Sequence, residues 1–456
     1  DASRNLVRLF FLKQGAKRAV FGLLHDKPAD VKYAAVIGGG TMGAGIVHAL
    51  VRAGIQVRLI EVDPKAVSGA LGRVRKMLDD DVAAGRLSAL EARHAMNRVA
   101  PSCDWTGLKL ADVVIEAVAE QIDVKRSVFE KLDRLTRPDA VLASNTSSLS
   151  IAEIAAATST PSRVIGLHFF NPVPKMPLVE VVRAPQSDDR SLATAAALSL
   201  RIGKTPLLVK DAPGFLVNRV LIPYLAEAIR AAAEGIPVPA IDRALKDWGM
   251  PMGPFELLDE IGLDIGLHVL EAFGSKFGEY ADTPAGMKRA IERGWLGKKS
   301  GRGFYVHDDA HKRKGETPVN AEMTALLTSG TPASPVPSDQ ELQWRLVLPM
   351  VNEAARLLAE GVTDSADAID LGTVLGLGLA PFRGGLAHFA DTVGSESLVE
   401  RMRTMAAQHG PRFAPAPLLA RLAAAHLPLS RFAEPATEHA AAEGSASAVP
   451  AHALTT

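Results

Sequence analysis

The sequence contains very little cysteine and no long apolar run. Cys103 is the single cysteine in 456 residues, which excludes an internal disulfide and a cysteine-ligated zinc or iron–sulfur site. This cysteine usage gives no sign of an oxidising compartment. No stretch of about 18 uncharged apolar residues is present, so no membrane-spanning helix is expected. The apolar patch near the N-terminus is too short for the core of a signal peptide.

The chain also lacks an excess of charge of either sign. It has 51 basic (Lys and Arg) and 51 acidic side chains, for a formal net charge of zero. A bulk attraction to nucleic acid or to an anionic membrane surface is therefore absent, and neither partner is expected. The content of 47% hydrophobic and 22% charged residues is that of a globular protein. The length predicts roughly three domains.

Short apolar runs alternate with helical patterns through the first half of the chain. Runs typical of buried strands lie at 31–37, 56–61, 113–115, 140–143, 164–168, 178–182 and 206–209. This alternation predicts an α/β fold in which a Rossmann-type, doubly wound parallel sheet occupies residues 31–213. An amphipathic linker helix is predicted before it, within residues 1–30.

After residue 213 the sequence becomes almost wholly helical and contains an internal repeat. One pattern recurs 126 positions further on, first as Arg219, Pro223, Glu227 and Glu234, then as Arg345, Pro349, Glu353 and Glu360. Two related all-α domains are therefore predicted, over 214–310 and 341–430, with a linker over 311–340. The tail over 431–456 is rich in Ala, Glu, Ser and Pro and is predicted to be disordered.

A glycine-rich motif follows the first predicted strand and begins the next helix. Gly38, Gly40 and Gly43 fit the pattern G-x-G-x-x-G, in which glycines permit a tight turn, a close approach to a pyrophosphate and close helix packing. The helix N-terminus offers free N–H groups to the phosphates. Glu61 ends the next strand, where a carboxylate binds ribose hydroxyls and repels a 2′-phosphate. The motif predicts NAD rather than NADP, although a flavin would use a similar motif.

Further polar motifs end predicted strands, at the edge where open parallel sheets bind ligands. They contain Ser147, His168 and Asn218, and Glu180 lies on the strand between the last two. His168 is the expected proton carrier, because oxidation of a carbinol needs a base that titrates near neutral pH. Glu180 is expected to fix the imidazole tautomer, and Ser147 and Asn218 to hydrogen-bond a substrate oxygen. Each residue taken alone also fits a structural role, and spacing does not show that they converge.

Together these motifs resemble the 3-hydroxyacyl-CoA dehydrogenase family. The matching stretches include GGGTMGAGI (38–46), ASNTSSL (143–149), GLHFFNPVPKMPLVEVV (166–182) and DAPGFLVNR (211–219). The resemblance implies NAD-dependent oxidation of (S)-3-hydroxyacyl-CoA to 3-ketoacyl-CoA in fatty-acid β-oxidation. It also implies roles for individual residues: His168 as general acid/base, Glu180 as its partner, and Ser147 and Asn218 as the residues that position the 3-oxygen.

The resemblance also assigns residues to the cofactor. Met42 matches the phosphate loop, and Glu120 and Lys125 match positions around the nicotinamide end of NAD. Ser147 is implied near the nicotinamide, and Asn171 resembles a residue on the cofactor side. No metal ion is implied.

The N-terminal helix and the helical repeat resemble the dehydrogenase part of multifunctional fatty-acid-oxidation enzymes. In those enzymes an enoyl-CoA hydratase domain precedes the helix, and a start at Asp1 rather than Met fits a piece of such a protein. A hydratase domain upstream, a thiolase subunit as partner and a bacterial-type cytoplasm or another reducing compartment are therefore expected. The second helical copy is expected to pack on the first within the chain, in place of the dimer partner of shorter family members.

Two other functions stay open from the sequence. One is the dehydrogenation of a different hydroxy acid. The other is a non-catalytic NAD-binding or assembly module within a multienzyme complex, against which the complete set Ser147, His168, Glu180 and Asn218 argues.

Overall fold

The computed structural model describes residues 2–22, 26–277, 284–308, 317–328 and 335–433. Its first half is built on eight strands: β1 Tyr33–Ile37, β2 Gln56–Ile60, β3 Val99–Ser102, β4 Val113–Glu116, β5 Val141–Ser144, β6 Val164–Phe169, β7 Leu178–Arg183 and β8 Thr205–Lys210. They form one sheet in the order β3-β2-β1-β4-β5-β6-β7-β8. The Rossmann-type α/β fold expected from the alternating pattern is confirmed. The sequence did not predict β3, because this edge strand has only four residues and contains Pro101, which disfavours a strand.

One pair of strands departs from the parallel arrangement. β7 runs antiparallel to β6 and parallel to β8. The reason lies in the connection, because only residues 170–177 separate β6 from β7 and a parallel crossover needs a dozen residues or more. The antiparallel register places His168 directly opposite Glu180.

Helices cover both faces of the sheet. They are α1 Ala2–Gly22, α2 Thr41–Arg52, α3 Pro64–Ala83, α4 Ala89–Met96, α5 Ile122–Leu135, α6 Ile151–Ala155 and α7 Asp189–Arg201. The helical pattern over 64–97 is divided into α3 and α4. Gly85 adopts a φ of +69° after α3, and Ser88 forms a capping box with Glu91 at the start of α4.

The second half is helical, as predicted. The first repeat contains α8 Val217–Ala233, α9 Val238–Trp248, α10 Pro254–Ile261, α11 Leu263–Phe277 and α12 Ala285–Glu292. After α13 Ala321–Leu327, the second repeat contains α14 Asp339–Ala359, α15 Ala366–Gly376, α16 Leu386–Val393, α17 Ser395–His409 and α18 Pro417–Ala424. None of the helices in the described residues combines the length and the apolar character needed to cross a membrane.

The segment predicted as a linker, 311–340, is partly structured. Helix α13 lies within it and buries Met323 and Leu327. A Cβ atom on Gly286 of α12 would approach Leu326 O to 2.2 Å, so the two helices pack closely. The tail predicted over 431–456 lies outside the described residues from 434 onward.

Helices α8 and α14 of the two repeats pack together through ion pairs. Arg219 Nε lies 2.6 Å from Glu353 Oε1, and Arg219 Nη1 lies 2.5 Å from Glu360 Oε2. Arg219 and Glu353 are almost completely buried. Burial and hydrogen bonding oppose each other here, and the two glutamates hold the pKa of Arg219 above its ordinary value.

The repeat-related residues form the same ion pairs in the opposite direction. Arg345 Nε lies 2.7 Å from Glu227 Oε1, and Arg345 Nη1 lies 2.7 Å from Glu234 Oε2. Each repeat therefore offers an arginine to two glutamates of the other. A surface that contacts its own copy in this reciprocal way is the pattern of a two-fold symmetric dimer interface, and here both copies lie in one chain.

Helix α1 connects the N-terminus to the second repeat. Leu9 and Ala16 are buried, while Arg8 Nη2 lies 2.6 Å from Asp367 Oδ1 and 2.8 Å from Asp370 Oδ2. Arg8 Nη1 also donates a hydrogen bond to Gly384 O at 2.8 Å. The helix is thus held at the start of α15 and α16.

Candidate active site

The glycine loop between β1 and α2 has the shape that a dinucleotide needs. Gly38 adopts a φ of +92°, and a Cβ atom there would lie 2.7 Å from Ala117 O. A Cβ atom on Gly43 would lie 1.9 Å from Gly38 O, so only glycine allows α2 to pack this closely. A Cβ atom on Gly40 would meet open space. The loop therefore leaves room for a pyrophosphate at the start of α2 and fits NAD.

Glu61 and Arg73 hold the glycine loop from two sides. Glu61 Oε1 accepts a hydrogen bond from Gly39 N at 2.6 Å, and Arg73 Nη2 donates to Gly39 O at 2.8 Å. Met42, in the first turn of α2, is half-buried against the core beneath the loop. Glu61 thus lies at the end of β2 beside the loop, where a carboxylate can reach the ribose hydroxyls.

A buried cluster of charges lies where β4 and β5 end. Lys125 Nζ is 2.7 Å from Glu116 Oε1 and 3.3 Å from Glu120 Oε2, and Lys125 is 1% exposed. Glu120 Oε1 accepts hydrogen bonds from Thr146 Oγ1 at 2.6 Å and from Ser147 N at 2.8 Å. Burial alone would raise the pKa of Glu120, but Lys125 and these hydrogen bonds outweigh it and hold the pKa below its ordinary value.

Ser147 and Asn218 meet across this cluster. Ser147 Oγ donates to Glu120 Oε1 at 3.2 Å, and Asn218 Nδ2 donates to Ser147 O at 3.3 Å. Both side chains are only half-buried. Lys125, being buried and paired, acts on this part of the site through Glu120, whereas Ser147 and Asn218 remain accessible from outside.

His168 and Glu180 form a buried hydrogen-bonded pair. His168 Nδ1 lies 2.7 Å from Glu180 Oε2, with 5% of His168 and none of Glu180 exposed. The rings of Phe170 and Phe215 lie 4.5 Å and 5.7 Å from the imidazole, measured between centroids. An ionised carboxylate only accepts, so Nδ1 carries a proton and Nε2 is the atom able to take one.

Glu180 is held by the N-terminus of α8. Its Oε1 accepts hydrogen bonds from Leu216 N and Val217 N, both at 3.0 Å. These donors are free because a helix N-terminus leaves its first N–H groups without partners inside the helix. Gly214 and Phe215, with φ of +73° and +50°, form the turn that delivers them. Because every oxygen of the carboxylate is bonded, the negative charge is stabilised next to His168.

The second repeat packs behind this N-terminus. A Cβ atom on Gly372 would lie 2.6 Å from Leu216 Cδ2, and one on Gly376 would lie 2.9 Å from Val217 Cγ1. Helix α15 therefore lies directly against the two residues whose amides bind Glu180.

Some site residues were not found from the sequence. Asn145 Oδ1 accepts a hydrogen bond from Phe169 N at 2.9 Å and so joins the ends of β5 and β6. Glu116 binds both Lys125 and Ser144. Its position at the end of a wholly apolar strand was a usable signal, because a buried charge there needs a partner. Asn171, by contrast, is exposed just beyond β6.

Two family models match the chain. The one described as 3-hydroxyacyl-CoA dehydrogenase, NAD binding domain, matches residues 33–212. The one described as 3-hydroxyacyl-CoA dehydrogenase, C-terminal domain, matches twice, at 214–307 and at 343–430. The second match agrees with the repeat seen in the sequence.

Known proteins resemble the chain over most of its length. It is 38% identical over 423 residues to the fatty acid oxidation complex subunit alpha of Shewanella amazonensis, which covers 92% of this chain and 59% of that protein. The structure of 3-hydroxybutyryl-CoA dehydrogenase from Escherichia coli superposes with a TM-score of 0.75 at 31% identity, covering 87% of this chain and 99% of that one. The (S)-3-hydroxybutyryl-CoA dehydrogenase of Ralstonia eutropha superposes with a TM-score of 0.58 at 38% identity, covering 61% and 100%.

Proposed function

The chain belongs to the 3-hydroxyacyl-CoA dehydrogenase family, and we propose that it interconverts (S)-3-hydroxyacyl-CoA and 3-ketoacyl-CoA with NAD in fatty-acid β-oxidation. The observation that carries this proposal is the 2.7 Å hydrogen bond between His168 and Glu180. The two residues lie on β6 and β7, in the same sheet as β1, the strand that precedes the glycine loop. The chain spans 59% of the length of the curated relative given above, so the activity of the longer protein is itself part of the proposal.

His168 is the proposed general base and acid. With Nδ1–H donated to Glu180, Nε2 takes the proton of the 3-hydroxyl group during oxidation and returns it during reduction. A positioned base of this kind contributes about 10²–10⁴-fold to a rate. The rings of Phe170 and Phe215 around the imidazole exclude water from this proton transfer.

Glu180 is the proposed orienting partner of His168. Its charge is fixed by the amides of Leu216 and Val217, and it stabilises the imidazolium that forms when Nε2 is protonated. This is the role of the acid in a Ser-His-Asp triad. The arrangement lets one imidazole hold a defined tautomer without any movement of the strands.

The remaining residues are proposed to position the ligands. The loop formed by Gly38, Gly40, Met42 and Gly43, together with Glu61, would hold the adenosine and pyrophosphate parts of NAD. Glu120, Lys125, Ser147 and Asn171 would border its nicotinamide end, and NAD supplies the hydride acceptor. Ser147 and Asn218, which touch each other, would hydrogen-bond the 3-oxygen of the substrate.

A direct assay tests this proposal. Acetoacetyl-CoA and NADH are mixed with the purified chain, and the loss of NADH absorbance is followed, with the reverse reaction measured from 3-hydroxybutyryl-CoA. The proposal expects turnover in both directions. A chain that binds NADH but shows no turnover with any acyl-CoA would instead be the non-catalytic module.

The same assay distinguishes the substrate classes. Acyl-CoA thioesters of graded chain length are compared with free 3-hydroxy acids at equal concentration. We expect turnover only with the thioesters, and a preference for free acids would favour a dehydrogenase of another hydroxy acid.

We further propose that the chain works within a multienzyme assembly in a bacterial-type cytoplasm. The relative from Shewanella amazonensis is named as the alpha subunit of a fatty acid oxidation complex. An enoyl-CoA hydratase domain before α1 and a thiolase subunit are the expected neighbours. Helix α1 supports this, because Leu6, Val7, Phe10 and Phe11 are each about half exposed or more. Hydration of crotonyl-CoA by the full natural protein tests the first neighbour.

A further inference from the structure

The segment 171–177 connects the two strands that carry the catalytic pair. It begins one residue beyond the end of β6, which holds His168, and ends directly before β7, which holds Glu180. Asn171 lies in it and is exposed. Inside the segment, Lys175 N and Met176 N donate to Pro172 O at 2.9 Å and 3.1 Å, which makes a compact turn.

A buried lysine binds this turn from behind. Lys204 precedes β8 and is 8% exposed. Its Nζ donates to Val173 O at 2.5 Å and to Met176 O at 2.7 Å. No carboxylate within the described ranges forms an ion pair with it. Burial, with a smaller effect of Arg52, lowers the pKa of Lys204. Burying an ammonium group without a counter-charge costs free energy, which hydrogen bonds to two neutral carbonyl oxygens offset only in part. A lysine kept in such a position is therefore a candidate for a positioning role.

The same turn also packs against α2, the helix that follows the glycine loop. A Cβ atom on Gly45 of α2 would lie 2.8 Å from Val173 Cβ, so α2 and the turn are in tight contact. Gly45 stands one half-turn after Gly43 of the glycine loop. The turn therefore lies between Gly45 on α2, against which it packs, and the ammonium of Lys204, which hydrogen-bonds its carbonyl oxygens.

We propose that Lys204 is a positioning residue for hydride transfer, which fixes the segment 171–177 against α2 and so sets the distance between the catalytic pair and the cofactor. The inference rests on the proposed function. Lys204 touches neither substrate nor cofactor and acts through the backbone of Val173 and Met176. Small displacements of a reacting group lower rates strongly, by about 100-fold for 1 Å.

The test compares Lys204→Met with Lys210→Met. Lys210 is an exposed lysine at the opposite end of the same strand, β8, so the pair controls for loss of charge on that element. Hydrogen exchange of the amides of Lys175 and Met176 is measured first, since it needs no activity. We expect exchange at least about tenfold faster in Lys204→Met, because unsatisfied carbonyls loosen the turn, and wild-type exchange in Lys210→Met.

Steady-state kinetics with acetoacetyl-CoA and NADH form the second measurement. We expect Lys204→Met to lower kcat about tenfold or more with KM for acetoacetyl-CoA changed less than threefold. Lys204→Arg, which keeps the charge and the donors, should recover most of the rate. A wild-type chain without turnover would overturn the proposed function, and the exchange measurement would still decide the role of Lys204 in fixing the turn.

A second variant covers the case in which Lys204→Met does not fold. Gly45→Ala places a methyl group against Val173 from the other side of the turn. It should give the same local increase in exchange and the same loss of kcat. Exchange within twofold of wild type at Lys175 and Met176 in every folded variant, or kcat equal to that of Lys210→Met, would overturn the proposal.

Discussion

The two helical repeats share a sequence pattern but begin their first helices differently. In the first repeat α8 begins at Val217, and the free amides before it bind Glu180. In the second repeat α14 begins earlier, at Asp339, with Ser338 as its cap. Leu342 N is there bonded to Ser338 O, so the repeat-related amides are used inside the helix. Trp344 stands where Asn218 stands in the first repeat. The first repeat therefore contributes amides and Asn218 to the proposed active site, whereas the second repeat packs behind it.

The repeats also differ in what binds a buried acid of their second helices, Asp242 or Asp370, whose carboxylate accepts hydrogen bonds from the first amides of the third helix. Asp242 accepts a hydrogen bond from Tyr305 Oη at 2.6 Å, within the same repeat. The repeat-related Asp370 is instead bound by Arg8 of α1, at 2.8 Å. The first repeat is closed by its own C-terminal segment, and the second is closed by the N-terminal helix. The second repeat thus contacts both the N-terminal helix α1, through Asp370, and the start of α8, through Gly372 and Gly376.

The largest expected effect comes from the ion pairs between the repeats. Arg219→Met leaves the buried Glu353 with Arg356, at 3.1 Å, as its one remaining ion-pair partner among the described residues. We expect a loss of about 3–5 kcal/mol in the free energy of unfolding. Arg345→Met should cost less, because Glu227 keeps Arg412 at 2.6 Å. Urea denaturation measures both variants. Losses below 1 kcal/mol would contradict the view that these pairs hold the repeats together, and equal losses would contradict the compensating role of Arg412.

An intermediate loss of stability is expected where α15 of the second repeat packs on the start of α8. Gly376→Val presses on Val217, and overpacking of this kind costs about 1–3 kcal/mol. Because Val217 N binds Glu180, kcat should fall as well. Gly15→Val in α1 is the matched control, since a Cβ atom there meets nothing within 4 Å. A folded Gly376→Val with the kcat of the control would show that the second repeat does not support the site.

The smallest effects depend on pH and concern the two buried acids, Asp370 with Arg8 and Asp242 with Tyr305. Burial raises the pKa of Asp370 to about 7, despite opposing hydrogen bonds and Arg8. The folded chain therefore holds this proton at pH 5, and the stability it brings is lost as the pH rises through 7. Only the ionised carboxylate needs Arg8 as counter-charge. Arg8→Met should cost little at pH 5 and about 1–3 kcal/mol at pH 8.

Tyr305→Phe is the counterpart of that variant in the first repeat. Burial raises the pKa of Asp242 to about 6, and the lost hydrogen bond should cost about 1 kcal/mol. Asp242 is bound by a neutral hydroxyl, whereas Asp370 is bound by the charged Arg8. We therefore expect the loss of stability in Tyr305→Phe to change less between pH 5 and pH 8 than the loss in Arg8→Met. Denaturation curves at both pH values compare the two. If the stability loss of Arg8→Met depends on pH no more steeply than that of Tyr305→Phe, the different roles given to Arg8 and Tyr305 are contradicted.

Sequence patterns predicted the parts of the molecule that depend on local chemistry. Short motifs and apolar runs predict the glycine loop, Glu61, and the strands next to Ser147 and His168. The repeat was visible because Arg219 and Arg345 recur at a constant spacing. These features need no knowledge of how distant segments meet.

What the sequence did not predict depends on contacts between distant segments. Glu180 was predicted as the partner of His168, but the antiparallel register of β6 and β7 that places them opposite each other was not. The amides that bind Glu180, some 36 residues later, were not predicted either. The residues next to Lys204 in the sequence do not indicate that its side chain lies beneath the turn at Val173. The exchange of ion pairs between Arg219 and Glu353 likewise appears only when the repeats are docked.

The central claim is that one imidazole, that of His168, transfers the proton of the substrate while Glu180 of β7, held by the amides at the start of α8, orients it. His168→Gln tests it most directly, with NADH affinity measured by fluorescence and turnover measured with acetoacetyl-CoA. The account predicts that kcat falls at least about 100-fold while the Kd for NADH changes less than threefold. Wild-type turnover in this variant would contradict the account, as would a loss of turnover that follows entirely from lost NADH binding.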